Sequence, residues 1–247
     1  MHTRDVAIAT ITLARNDRER DLLLAALRDL ARADLPVFAT DGGSGREFVE
    51  EVRKLEGFRL CQPEGAGLWP QVRASLKAAA ASGAQFILYT EPDKRDFFRE
   101  GLAPLIAESP DDAGVGVVLA SRAQRELSTF PAFQQYTESV INRCCAEVTG
   151  QAFDFSYGPF LLQASVVQHL DPRNDDVGWG WRTYTFAIAH RLGLRLEQRL
   201  RGRACPPEQR SDAESIYRME QLAQSLEGLV LATKAKEAAF IRPPPTP

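Results

Sequence analysis

The chain predicts an α/β fold with a mostly parallel central sheet flanked by helices, and three stretches carry that expectation. Phe86–Tyr89 is a short apolar run cut off by Thr90-Glu91-Pro92-Asp93-Lys94, the pattern of a strand covered on both faces. Before it, apolar runs alternate with helical patterns, as in βαβ units. After the second apolar run comes a glycine-rich turn, Asp41-Gly42-Gly43-Ser44-Gly45. Loops at the carboxyl ends of parallel strands share one edge of the sheet, so Asp41–Gly45, Glu64–Gly67 and Glu91–Lys94 are expected to converge.

In chain order, Val6–Leu13 is the first strand, with β-branched residues at alternate positions. Asn16-Asp17 caps a helix over Arg18–Ala33, on which Leu23, Leu27 and Leu30 form the inward stripe. Pro36–Thr40 is the second strand, Phe48–Leu55 a helix and Phe58–Cys61 a third strand. A helix from Pro70 to Ser82 is closed by Gly83. Asp96 caps a helix over Phe97–Ala107, interrupted at Pro104, and Gly116–Ala120 is a strand. Pro131–Val148 reads as a helix with Phe133, Val140, Ile141, Cys144 and Val148 inward, ended by Thr149-Gly150. Phe153–Leu162 is an aromatic bend, Ser165–Leu170 a short helix, Thr183–Leu192 a helix, and Leu194–Leu196 the start of a strand.

Ser211 and Glu214 form a capping box for a long helix with a stripe of Ile216, Met219, Leu222, Leu226 and Leu229 or Val230. The expected division is a catalytic domain over 1–210, an amphipathic helix over 211–240 packed on that domain or on a partner (a homodimer), and a disordered tail over 241–247.

Composition narrows the function classes. The 247 residues, 44% hydrophobic, suffice for one sizeable core. A formal charge of -3 gives no general basic field and argues against nucleic-acid binding. Cys61, Cys144, Cys145 and Cys205 show neither metal spacing nor a disulfide framework, which suits a reducing, cytoplasmic compartment. The apolar run near the N-terminus is too short for a signal peptide, and no stretch reaches membrane-spanning length.

Four features carry chemistry. Glu91 and Asp93, two apart in extended backbone, point the same way and offer a hard oxygen-rich site for Mg²⁺ or Mn²⁺ against a phosphate. Asp41 stands at a strand end beside glycines that let backbone approach a ligand. Tyr157-Gly158-Pro159 suggests backbone packed against something bulky. Trp179 and Trp181, separated by Gly180, make a rigid surface suited to stacking on a sugar or base, or else cover the core. The arginines of Arg195–Arg210 can meet a diphosphate or line a solvated surface.

In this order the signals resemble the nucleotide-sugar glycosyltransferases of the GT-A fold, particularly the inverting family 2 type and retaining relatives such as mannosylglycerate synthase, over Val6 to Leu196. The resemblance implies a first-strand loop at Thr12–Asn16 and a nucleoside contact at Asp41 with Gly42. It implies a donor-binding segment from Gly65-Ala66-Gly67 to Arg73-Ala74-Ser75, and a metal motif at Glu91-Pro92-Asp93 in place of Asp-x-Asp. Tyr157-Gly158 would lie beside the acceptor and Asp175–Arg182 would carry its site. His190 would stand where many members place a later metal histidine.

Two departures stand out. The first metal acid is a glutamate, and Arg182 follows Trp181 where inverting members place an acid. A catalytic base would then come from Asp175 or Asp176. The implied activity is transfer of a sugar from a UDP- or GDP-type nucleoside-diphosphate sugar to a hydroxyl of a small-molecule or glycan acceptor. Mn²⁺ or Mg²⁺ on Asp93 and Glu91 would bridge the phosphates, and Lys94 or an arginine of the Arg199–Arg210 segment would neutralise diphosphate oxygens. Trp179 and Trp181 would wall the sugar site. On that reading Asp93→Asn abolishes metal-dependent binding. The alternatives are a sugar-phosphate nucleotidyltransferase, disfavoured by the glycine-poor Leu13-Ala14-Arg15-Asn16, and a noncatalytic nucleotide- or sugar-binding module, favoured by the missing acid after Trp181.

Overall fold

A computed structural model describes residues 1, 5–170, 176–206 and 215–234. In it, β1 (Val6–Thr12) lies between β2 (Val37–Asp41) and β4 (Phe86–Tyr89), with β3 (Phe58–Cys61) outside β2, all in parallel. The sheet has seven strands in the order β3-β2-β1-β4-β6-β5-β7, where β5 is Val115–Ser121, β6 is Phe160–Gln163 and β7 is Arg195–Leu200. β6 runs antiparallel to β4 and β5, while β5 and β7 pair in parallel.

Helices cover both faces. On one side lie α1 (Asp17–Ala31), α2 (Arg46–Arg53), α4 (Arg95–Glu100) and α5 (Leu102–Glu108). On the other lie α3 (Leu68–Ala81), α7 (Ala132–Thr149), α8 (Gly180–Arg191) and α9 (Ser215–Lys234), with α6 (Gln124–Leu127) a short surface turn. β1 shows why both faces are needed: Val6 and Ile8 enter one apolar cluster, Ala7 and Ala9 the other. The small alanines leave room for Trp69, Tyr89, Phe160 and Trp181 in the second cluster. Asn16 caps α1 as expected, its side chain accepting from the Glu19 N–H at 2.9 Å.

Three expectations are corrected here. The aromatic bend at Phe153–Leu162 contains strand β6, inserted between β4 and β5. The inward face of α7 is turned: Cys145 is fully buried and Cys144 only partly, because Glu138 faces inward to meet Arg122, with Gln134 donating to Glu138 beside it. On α9 the buried residues are Ser225, Gly228, Leu229 and Ala232, whereas Ile216 and Met219 are exposed. Small residues occupy that face because α8 and α9 approach closely. A Cβ on Gly180 or Gly228 would overlap the backbone of the opposing helix. Thr183 Oγ1 donates to the Ser225 carbonyl at 2.6 Å across the same contact. Residues 241–247 lie outside the described residues.

Overpacking a close helix contact costs roughly 1–3 kcal/mol. Gly228→Ala is therefore expected to destabilise the fold by about 2–3 kcal/mol, measured as a lowered melting temperature; an unchanged melting temperature would refute this α8–α9 contact.

Candidate functional site

The carboxyl ends of β1, β2, β3 and β4 and the start of β6 lie at one edge of the sheet. Thr12 pairs with Asp41, and Ala9 with Tyr89, so β4 leaves the sheet three residues before the end of β1. Asp41 lies two strand spacings, about 10 Å, to the side of β4 and three residues, about 10 Å, further along the strands than Tyr89. The Asp41–Gly45 and Glu64–Gly67 loops meet through Gln71, and Glu91–Lys94 leaves β4 at the same edge of the sheet.

The Asp41 carboxylate is occupied by its own loop. Oδ1 accepts from Thr12 Oγ1 (2.9 Å) and Ser44 Oγ (2.6 Å), and Oδ2 accepts from the Gly43 and Ser44 N–H groups (2.9 and 2.7 Å). Four bonds fill a carboxylate's usual acceptor capacity. Ser44 Oγ in turn accepts from the Ala14 N–H, so Asp41 latches the β1 and β2 loops together. Gly42 donates its N–H to the Thr12 carbonyl at 2.7 Å and lies close to Gln71, whose side chain donates to the Gly67 carbonyl.

Asp176 is a helix cap rather than an available base. Its carboxylate accepts from the Leu68, Trp69 and Gly178 N–H groups at 3.0, 3.0 and 2.9 Å. It thereby caps α3 from a distant part of the chain and complements the positive end of that helix. Gly67 has φ 105° and a Cβ there would strike the Asp176 carboxylate, which is why the helix entry is glycine. Arg73, on the second turn of α3, is half-buried. Asp175 lies outside the described residues.

At the outlet of β4 the acid pair meets two internal cations. Asp93 receives both contacts of the Lys94 ammonium, at 2.8 and 3.1 Å. Arg182 Nη1 lies 3.4 Å from Glu91 Oε1. The four Nη hydrogens of Arg182 are distributed among Glu91 and the carbonyls of Phe155, Ser156 and Gly158. Burial alone would lower the Lys94 pKa, but the charges of Asp93 and Glu91 outweigh it and hold the ammonium well protonated. Gly158, at φ 129°, lets the Glu91 carboxylate press against the turn; a Cβ would collide with Oε2. The bulky group against which Tyr157-Gly158-Pro159 packs is thus Glu91.

Of the two tryptophans, Trp181 is fully buried, stacked on Trp69 with centroids 6.1 Å apart and edge-on to Tyr89 at 4.5 Å. It is core, not the wall of a sugar site, because α8 begins at Gly180 and turns it inward. Trp179 is half-buried, and its Nε1 donates to the Tyr217 hydroxyl of α9 at 2.8 Å. Tyr157 packs edge-on to Phe97, and burial pushes its hydroxyl pKa up to about 12.

Two features were missed in the sequence. Behind Tyr157, Arg122 is buried against Asp154 in a two-pronged pair (2.8 and 3.0 Å) and against Glu138 (2.6 Å). Burial alone would raise the Asp154 pKa, but Arg122 outweighs it and holds the carboxyl below its ordinary value. Beneath the same edge, Tyr89 Oη, Glu91 Oε2, Trp181 Nε1 and Arg182 Nε are buried with no hydrogen-bond partner among the described residues. Buried polar atoms are ordinarily satisfied, so such a group marks a place where water or a ligand is missing or strain is held.

No protein-family model and no curated protein sequence matches the chain. Solved structures do match. Glucosyl-3-phosphoglycerate synthase of Mycobacterium tuberculosis in complex with Mn²⁺, UDP and glucosyl-3-phosphoglycerate is 15% identical, with TM-score 0.58, over 91% of this chain and 80% of that one. Another structure of that synthase gives 16% identity and TM-score 0.60, over 91% of this chain and 81% of that one. A third, with Mg²⁺ and UDP, gives 14% identity and TM-score 0.58, over 91% of this chain and 79% of that one. This chain has the GT-A fold.

The GT-A fold raises the question of a metal, and the residues present do not fit one. Among the described residues no three His, Cys, Asp or Glu side chains gather as a metal-binding group. Glu91 and Asp93 already face Arg182 and Lys94, so the four charges cancel. His190 lies toward the opposite end of α8, eight residues beyond Arg182 and so about 12 Å further along the helix axis. Burial lowers its pKa. The expected ligand set of Glu91, Asp93 and His190 is not assembled.

If Asp176 is a cap, Asp176→Ala is expected to lower the unfolding free energy by about 1–2 kcal/mol, read from urea denaturation. An unchanged denaturation midpoint would refute the capping role.

Proposed function

We propose that this protein is a glycosyltransferase that takes a nucleoside-diphosphate sugar, of UDP or GDP type, at the carboxyl edge of its sheet and transfers the sugar to a hydroxyl acceptor. The observation that carries the reading is the convergence of the Thr12, Asp41, Gly67, Lys94 and Gly158 segments on one edge. Glu91 Oε2 and Arg182 Nε, buried beneath that edge with no partner among the described residues, leave hydrogen-bonding capacity beside it. Structures of the synthase described above, of the same fold and 14–15% identical, contain UDP, which supports the donor class.

In this reading the latched loops at Thr12 and Asp41–Ser44 form the nucleoside wall, with Gly42 and Gly67 allowing close backbone approach. Arg73 and Lys94 lie on the donor side, while Tyr157, Gly158 and Trp179 border the acceptor side. The acceptor oxygen bonds to the anomeric carbon as the bond from that carbon to the diphosphate oxygen breaks, its electron pair leaving with the diphosphate. In an inverting reaction the acceptor proton passes to a carboxylate, and with Asp176 engaged as a cap, Asp175 is the candidate.

A second reading, a noncatalytic nucleotide- or sugar-binding module, is favoured by the engagement of Asp176 and the burial of Trp181. Calorimetry with UDP, GDP and their sugars, followed by assay of sugar-nucleotide hydrolysis and transfer to an acceptor panel, separates the two. The transferase is expected to bind a nucleotide and slowly hydrolyse its sugar conjugate; binding without turnover across the panel would overturn it in favour of the module.

A further inference from the structure

The disagreement between the fold and its expected metal has a physical content. The Glu91–Asp93 pair is compensated from within the chain, by an ammonium on Asp93 and a guanidinium against Glu91. The side chains of Glu91 and Arg182 are only 11% and 12% exposed, so this compensation is largely screened from water. A divalent ion entering here would meet no net negative charge and would have to displace both cations. It would also lack a third side-chain ligand among the described residues.

The two cations are not equivalent. The terminal nitrogens of Arg182 are committed to Glu91 and to the Phe155–Gly158 turn, so Arg182 holds the site together. Lys94 is more open: its side chain is 20% exposed, and its partner Asp93 is 36% exposed. An ammonium carries three donors, while the contacts to Asp93 involve the two oxygens of one carboxylate. Lys94 therefore keeps donor capacity at the strand outlet where the diphosphate is proposed to lie.

We propose that this site binds the diphosphate of its nucleotide directly on Lys94, with Arg182 as the internal counter-ion of Glu91, and needs no divalent cation. The inference rests on the donor-site reading above. It reverses the sign of one expectation: Asp93→Asn removes the carboxylate that competes for Lys94, so it strengthens nucleotide binding instead of abolishing it.

The test is isothermal titration of the full chain with UDP and with GDP, in EDTA and separately in Mn²⁺. Wild type is expected to bind one of them with the same affinity in both buffers. Removing a like charge beside the phosphate is expected to tighten binding roughly tenfold in Asp93→Asn. Lys94→Met is expected to weaken EDTA-resistant binding by about tenfold or more. Binding that appears only with Mn²⁺ and is lost in Asp93→Asn would overturn this inference and leave the donor site standing. Absence of binding to either nucleotide in both buffers would overturn the donor site itself and the inference with it. Should Lys94→Met fail to fold, the comparison of wild type with Asp93→Asn decides the matter.

Discussion

The ion pair between Arg182 and Glu91 is the constraint on which the geometry of the edge depends. It joins the first turn of α8 to the outlet of β4, and the same guanidinium gathers the carbonyls of Phe155, Ser156 and Gly158. Three segments distant in sequence are thereby held at one point. Losing one partner of a buried pair leaves a charge uncompensated in poorly solvated surroundings, a loss of roughly 3–5 kcal/mol. Arg122 repeats the device one layer back, tying β5 to α7 and to Asp154 behind Tyr157. Two buried arginines thus shape this edge, with Glu91 as the partner of Arg182 and Asp154 and Glu138 as the partners of Arg122.

That arrangement changes what the acidic motif can do. A carboxylate pair that is open to solvent and unpaired attracts a divalent ion because the ion relieves its charge repulsion. Here Lys94 and Arg182 already provide that relief. Asp41 and Asp176 have been drawn into structure in the same way, the first by its own loop and the second by the start of α3. The chain keeps the GT-A fold, and the acids at this edge of its sheet are already paired or hydrogen-bonded within the chain.

Much of the fold was legible because its signals are local. β1 to β5 are short apolar runs bounded by turn residues, and Asn16 caps the helix that follows it. What was hidden depended on distant partners. β6 has four residues and lies in an aromatic run whose Gly-Pro pair suggested a bend; its pairing is with β4 and β5. The Trp-Gly-Trp stretch read equally as a stacking surface or a core cover, and the helix starting at Gly180 divides it, sending Trp181 into the core and leaving Trp179 partly outside. Asp176 and Arg182 resembled a displaced base and a missing acid, and only the folded chain brings them to α3 and to Glu91. One signal was available: Lys94 directly after Asp93 announced an acid with its counter-ion already beside it.

The most direct examination of the central claim is a crystal of this protein soaked with UDP and Mn²⁺ and measured at the manganese absorption edge. The account predicts diphosphate density against the Lys94 ammonium, with the Arg182–Glu91 contact intact and no anomalous peak between Glu91 and Asp93. A strong anomalous peak bridging those carboxylates and the diphosphate, with Lys94 and Arg182 turned away, would contradict it.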